Sequence, residues 1–266
     1  MPPSPPAIDH DASTAIALDG AVGSLLPGRA DSPVRLTGKV IAVVQSSYVP
    51  WKGYFDLLRS VDEFVLFDDV QFTRRDWRNR NKIKTPHGTQ WLTIPVEVKG
   101  KYHQRIRDVL VSEPGWGRSH WKTLTHSYSR ARHFDRYRET FEPIFADESE
   151  RSLSRINHRF IRVICDILEI DTRVSWSSDY ELVDGASERL VAICKQAGAT
   201  EYLSGPSARA YLREELFRDA GIEVRYMDYA GYPCYEQLHP PFEHAVSVLD
   251  LIFNTGPDAP KYLDRA

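Results

Sequence analysis

The chain has 266 residues, of which 42% are hydrophobic and 27% charged, the composition of a globular protein long enough for one large domain or two small ones. Its net charge of -3 argues against wholesale coating of nucleic acid and leaves room for a local basic patch. Cys165, Cys194 and Cys234 are widely separated and form no CxxC pair. That excludes a disulfide framework or zinc ribbon and reads as reduced thiols, in or near the core of a cytoplasmic protein.

Residues 1–37 are rich in proline, serine, glycine and alanine and lack the basic start and apolar core of a secretory signal. They are expected to be a flexible arm, dispensable for folding, with a single α/β domain over 38–266. No apolar run is long enough to span a membrane.

"KVIAVVQ" reads as a buried strand that stops at "SSYVP", and "WKGYFDLLRSV" has helical spacing. "EFVLFDD" is a second short strand. "QWLTIPVEV" is a third, with a proline suited to an edge or bulge. Long amphipathic helices are expected over 116–147 and 152–170, forming a helical insertion at about 112–172. "TRVSWSSDY" is a candidate strand, and "ASERLVAICKQAGA" a helix ending at Gly198. In the last unit, strand "EYLS" meets Gly205-Pro206, a helix runs to Ala220-Gly221, and strand "IEVRYMDY" follows. Strand–helix–strand with short connections predicts a mostly parallel sheet flanked by helices.

Ligands of such sheets sit outside the carboxyl ends of the strands. Three strands here end in polar sequence: Gln45-Ser46-Ser47-Tyr48, Asp68-Asp69 and Ser204-Gly205-Pro206-Ser207. If the strands are parallel neighbours, the motifs share one rim. "SGPS" before a helix offers free N–H groups and a positive dipole end to an anion, or is plain capping. Asp68 and Asp69 are candidates for acid–base chemistry. No metal or cofactor is otherwise expected, but a divalent cation could use both carboxylates from a loop.

"DDVQFTRRDWRNRNKIK" then presents Arg74, Arg75, Arg78, Asn79, Arg80 and Lys82 as donors for phosphate or carboxylate, with Trp77 as a stacking surface. Strand alternation would place Arg78, Arg80, Lys82 and Lys84 on one face. His120 is the histidine best suited to proton transfer. Tyr232, Tyr235, Gln237 and His239 belong to an aromatic loop that either lines a pocket or packs.

"QSSYVPWKGYFDLL", "FDDVQFTRRDWRNRNKIKT", "QWLTIPV", "YLSGPSARAYL" and "VSVLDLIFNTG" resemble, in order and over about 41–262, the WbqC-like family. Many members read "HQPNYLPW" in the first block, where this chain keeps Gln45, Tyr48, Pro50 and Trp51 without the histidine. The resemblance implies a bacterial protein of surface-polysaccharide or specialised-metabolite (antibiotic) biosynthesis. It also implies a transferase that moves an acyl or aminoacyl group to an amine such as an amino sugar. On that reading a small-molecule acceptor meets an anionic donor linked to nucleotide or tRNA. Gln45, Tyr48, Asp69, Arg75, Arg78 and Ser204 would face one pocket, with Asp69 as general base. Alternatives are a nucleic-acid- or nucleotide-binding module, supported by the Arg/Lys array with Trp77 and Trp91, and a non-catalytic scaffold.

Overall fold

The structure, a computed structural model, describes residues 38–265. The expected N-terminal arm lies outside the described residues, apart from which the chain forms a doubly wound sheet. Strand β1 (Lys39–Val44) lies between β2 (Glu63–Leu66) and β6 (Ala199–Ser204), with β5 (Arg173–Trp176) and β7 (Glu223–Tyr226) at the edges. All four pairings are parallel. Taken in chain order, the five strands run third, second, first, fourth, fifth across the sheet. The direction of winding therefore reverses between β1 and β6, which is the topological switch point of doubly wound folds.

Alternation along the strands explains the two-sided core. Ala42, Phe64, Leu66 and Leu203 face one apolar cluster, while Ile41, Val43, Val65 and Tyr202 face the other. The first cluster takes Tyr54, Phe55, Leu57 and Leu58 from α1 (Lys52–Arg59). It also takes the apolar faces of α2 (Trp116–Tyr128), α3 (Phe134–Ala146), α4 (Leu153–Ile167) and α7 (Val248–Thr255). The second is covered by Leu190, Ile193 and Cys194 of α5 (Ala186–Gln196) and Phe217 of α6 (Glu214–Asp219).

Four expectations change. The helical stretch 116–147 breaks at Ser129–His133, where the His133 N–H donates to the Phe253 carbonyl (2.9 Å) and docks the turn on α7. The strand within "QWLTIPVEV" (β4, Gly88–Thr93) joins no parallel sheet but pairs antiparallel with β3 (Arg80–Thr85) in a separate hairpin. After Gly205 there is no long helix. A 3-10 segment, Pro206–Ala210, ends at Tyr211, and α6 starts only at Glu214. Cys165 and Cys194 are buried, and burial pushes both thiols up to about 12, but Cys234 is exposed.

Candidate functional site

The carboxyl ends of β1 and β6 open into a cavity of about 100 Å³. Gln45, Ser204, Gly205 and Ser207 line it, so two of the three polar motifs converge there. The walls are Val43, Phe67, Leu190 and Tyr202, an apolar slot with a few polar groups at its mouth.

Its charged side comes from α5, which the sequence presents as an ordinary amphipathic helix. Ala186, Ser187, Arg189 and Leu190 line the cavity, and α5 has no side-chain N-cap because Gly185 (φ 93) precedes it. The first-turn N–H groups and the positive end of the dipole therefore stand at the cavity. Arg189 is tethered by Nε to the Val183 carbonyl (3.1 Å) and brings a guanidinium to the same wall. The helix start expected after Ser204-Gly205-Pro206-Ser207 is only a short 3-10 turn, and the helix N-terminus that meets the cavity is that of α5, whose first turn also holds the Glu188 carboxylate, paired with Arg213. Gln71 and Tyr211 complete the polar lining. The one legible sign of this wall is glycine before an uncapped "ASERL".

Gln45 is held from behind. Its Oε1 accepts from Arg78 Nη1 (3.0 Å), and its carbonyl accepts from the Tyr54 hydroxyl (3.3 Å). Arg78 is only 3% exposed, with Asp76 Oδ2 at 3.6 Å from its Nε. It thus orients Gln45 and does not line the cavity itself. The loop after β1 is strained: Val49, a β-branched residue, has φ 36. Asn81 Nδ2 bonds both the Tyr48 (3.2 Å) and Val49 (3.0 Å) carbonyls and fixes it.

The remaining expected site residues are engaged elsewhere. Asp68 accepts from the Ser46 N–H (2.8 Å) and from the Ser154 hydroxyl, and burial raises its pKa. Ser46 Oγ accepts from Asn157 Nδ2 (3.1 Å), so Ser46, Asp68 and Asn157 form one buried network. Asp69 accepts from the Ser177 hydroxyl (2.8 Å) and pairs with Arg107 (2.7 Å) and Arg105 (3.4 Å). Both its oxygens are thereby occupied, which corrects the expectation of a free general base. The two carboxylates serve different partners, and among the described residues no group of three or more His, Cys, Asp and Glu is arranged to hold a metal.

His120 is enclosed by Tyr48 and Trp116. Its Nε2 faces the Thr93 carbonyl (3.2 Å), which only accepts, so Nδ1 receives the Tyr48 hydroxyl (2.8 Å). Burial pushes its pKa down to about 4. The imidazole is a neutral packing group, and Tyr48, fully buried, belongs to the core rather than to the cavity.

The basic run is scattered by the hairpin. Arg80 and Lys82 lie over Trp91, at 4.0 and 5.3 Å from its ring centroid, beside Trp77. Arg74 donates to the Val98 carbonyl (2.9 Å), and Arg75, at φ 60, offers its carbonyl to Arg80. Asn79 Nδ2 bonds the Ile94 carbonyl (2.8 Å), and Ser47 lines a separate cleft. Lys84 is buried, bonded to the Pro241 carbonyl. The expected single pocket of Gln45, Tyr48, Asp69, Arg75, Arg78 and Ser204 therefore contains only Gln45 and Ser204.

The aromatic C-terminal loop packs. Tyr232 donates to Asp56 (2.6 Å), Tyr235 and Gln237 to Asp250 (2.8 Å each), and His239 meets the Ser127 carbonyl (2.8 Å). No helix among the described residues is long and apolar enough to cross a membrane.

Comparison with known proteins agrees with the motif order. The model of the WbqC-like protein family matches residues 45–262. An uncharacterized protein of Mycobacterium tuberculosis, Rv1507c, is 52% identical over 225 residues, covering 85% of this chain and 97% of the relative. No solved structure matches.

Proposed function

The chain belongs to the WbqC-like protein family, and from that premise we propose that it is a transferase forming an amide bond at the switch-point cavity. An acyl or aminoacyl group passes from a nucleotide- or tRNA-linked donor to an amine acceptor such as an amino sugar, in polysaccharide or specialised-metabolite biosynthesis. The observation that carries the site is the meeting of Gln45, Ser204, Gly205, Ser207, Ser187 and Arg189 around one apolar slot where the winding reverses. The transfer chemistry extends what the family resemblance implies.

Arg189 suits the donor's phosphate, and Gln45, fixed by Arg78, suits a hydrogen bond that orients the reacting group. The neutral amine nitrogen attacks the acyl carbon, a C–N bond forms, and the C–O bond to the donor breaks. The leaving oxygen takes the electron pair. No carboxylate or imidazole is among the residues lining the cavity. The chain's part is accordingly binding and orientation, and the amine proton passes to the departing oxygen.

A thermal-shift screen of the full chain against nucleotides, nucleotide sugars and aminoacyl-tRNA tests this, coupled to mass spectrometry for an amide product in the presence of amino sugars. Stabilisation by a phosphate-bearing ligand, reduced in Arg189→Ala, is expected. Absence of both stabilisation and product would overturn the proposal. The Arg80–Trp91–Lys82 stack, with Trp77 beside it, favours a second reading, single-stranded nucleic-acid binding on the hairpin. The two merge if the donor is an aminoacyl-tRNA.

A further inference from the structure

A second cleft, of about 20 Å³, opens between Ser47, Pro50, Trp51, Trp77, Arg78 and Ala245. It shares a boundary with the switch-point cavity: Arg78 lines the cleft, Gln45 lines the cavity, and the Nη1–Oε1 hydrogen bond joins them. Tyr54 also lines the cleft and donates to the Gln45 carbonyl.

Two donors in the cleft's lining lack a partner. Trp51 Nε1 and Arg78 Nε are both buried atoms without a hydrogen bond among the described residues. Asp76 pairs with Arg78 Nε at 3.6 Å, beyond hydrogen-bond length. Tyr229, edge-on to Trp51 with centroids 5.1 Å apart, carries a third unpartnered polar atom in its hydroxyl. That hydroxyl lies 3.8 Å from where a Cβ on Gly205 would stand, so it reaches the wall of the first cavity. Native folds rarely leave buried donors unsatisfied, and three gathered around the ends of β1 and β6 call for an acceptor. The position of Trp51 is itself built in. A Cβ at Gly53 would stand 2.2 Å from its Cζ2, so only glycine there lets the indole lie on the first turn of α1.

Charge and size decide what the acceptor is. Asp76 already balances Arg78, so a carboxylate would meet a like charge, whereas a neutral carbonyl oxygen would not. The volume admits a group of about the size of one water or methyl, and proline, two indoles and an alanine methyl suit an apolar substituent. We propose that this cleft is the acyl subsite of the transfer site, its donors receiving the carbonyl oxygen of an acyl or aminoacyl group, of which only the carbonyl end enters and whose leaving part occupies the neighbouring cavity. The inference rests on the proposed amide-forming activity and names where its acyl group binds. As the amine adds, the carbonyl π electrons move onto the oxygen facing Trp51 and Arg78. They return as the leaving oxygen departs, so donors at this place favour the addition step.

The test titrates the full chain with N-acetylalaninamide, a neutral acyl amide, and separately with acetate, reading affinity by NMR saturation transfer. Saturable amide binding, with acetate at least about tenfold weaker, is expected. Trp51→Phe keeps an aromatic ring against Tyr229 and deletes the N–H, so it should weaken amide binding about three- to tenfold with little change in Tm. Gly53→Ala, which displaces the indole, should weaken it further; if that variant does not fold, Trp51→Phe decides. Wild-type affinity in Trp51→Phe, a preference for acetate, or no amide binding at all overturns the subsite. Nucleotide binding is read in the same variants. If it persists while amide binding is absent, the acyl subsite fails and the donor cavity stands, and the reverse result removes the donor cavity alone.

Discussion

Two buried polar clusters in this chain have opposite hydrogen-bonding character. Around Asp250 on α7, Oδ2 accepts from the Tyr128 hydroxyl and Oδ1 from the Tyr235 hydroxyl and Gln237 Nε2, each at 2.8 Å, while Gln237 Oε1 accepts from the Glu243 N–H. None of these side-chain atoms is left without a partner. At the ends of β1 and β6, by contrast, Trp51 Nε1, Arg78 Nε and the Tyr229 hydroxyl have no partner among the described residues, and Val49 is strained. Closed polar networks fix a fold, whereas open ones at a topological switch point are where a ligand completes the bonding. Residue type alone does not separate the two, since both clusters combine carboxylates, aromatics and amides.

The largest effect should come from breaking the closed cluster. Asp250→Ala removes the acceptor of three buried donors and should cost about 3 kcal/mol or more, read as a lower urea midpoint at unchanged slope. A loss under about 1 kcal/mol would mean that the network is not what secures the C-terminal loop, and the contrast would collapse.

His120 belongs with the closed side and gives a pH test. Burial holds its folded pKa near 4, below the ordinary 6.5, so the fold favours the neutral ring. Its contribution is complete above about 6.5 and is lost as pH falls toward 4, by up to about 3 kcal/mol. His120→Gln should therefore flatten the acid limb of a stability–pH profile between those values. An unchanged limb would return His120 to the list of exchangeable, functional groups.

Much of this architecture is legible in the sequence, and the reasons for the remainder are local. The abrupt ends of "KVIAVV", "EFVL" and "EYLS" in polar residues place Gln45 and Ser204 at one rim because parallel neighbours end on the same side. Asp68 and Asp69 follow the second of those strands, "EFVL", yet side-chain partners from α4 and the Ser177 turn, over 80 residues away in the chain, each take one of their oxygens. The run from Arg74 to Lys82 looks like a single donor array, but a hairpin turns half of it outward onto Trp91 and buries Arg78 behind Gln45. Arg189 and Ser187 are legible only as far as the glycine before "ASERL", because nothing further in an amphipathic helix reveals which loop its first turn will face. Trp51 reads only as part of the family block, and its seat over Gly53 becomes visible in the fold.

Gly205→Ala sharpens the open side. Gly205 has φ -70, and a Cβ there would meet only the Tyr229 hydroxyl, at 3.8 Å, so the fold itself does not require glycine. Stability should change by less than about 0.5 kcal/mol. Affinity for whichever nucleotide the thermal-shift screen selects should nevertheless drop about tenfold if the ligand approaches this backbone, because Gly205 lines the cavity beside Ser204 and a methyl adds bulk there. Equal affinity in this variant would show that the ligand does not approach this backbone.

The smallest effect is expected on the hairpin's outer face, and it separates the two functional readings. Trp91 is 38% exposed, and Arg80 lies 4.0 Å over its ring in contact with solvent, a geometry that contributes about 0.5–1 kcal/mol. Arg80→Ala should lower stability by no more than that and leave binding of a free nucleotide unchanged, since Arg80 does not line the cavity. Its effect on RNA is the informative quantity. If an aminoacyl-tRNA is the donor, Arg80→Ala should weaken binding of unrelated RNAs to a similar degree and reduce the slope of log affinity against log salt by about one. If the slope is unaltered, the stack serves the hairpin alone, and the donor is a small nucleotide-linked molecule bound at α5.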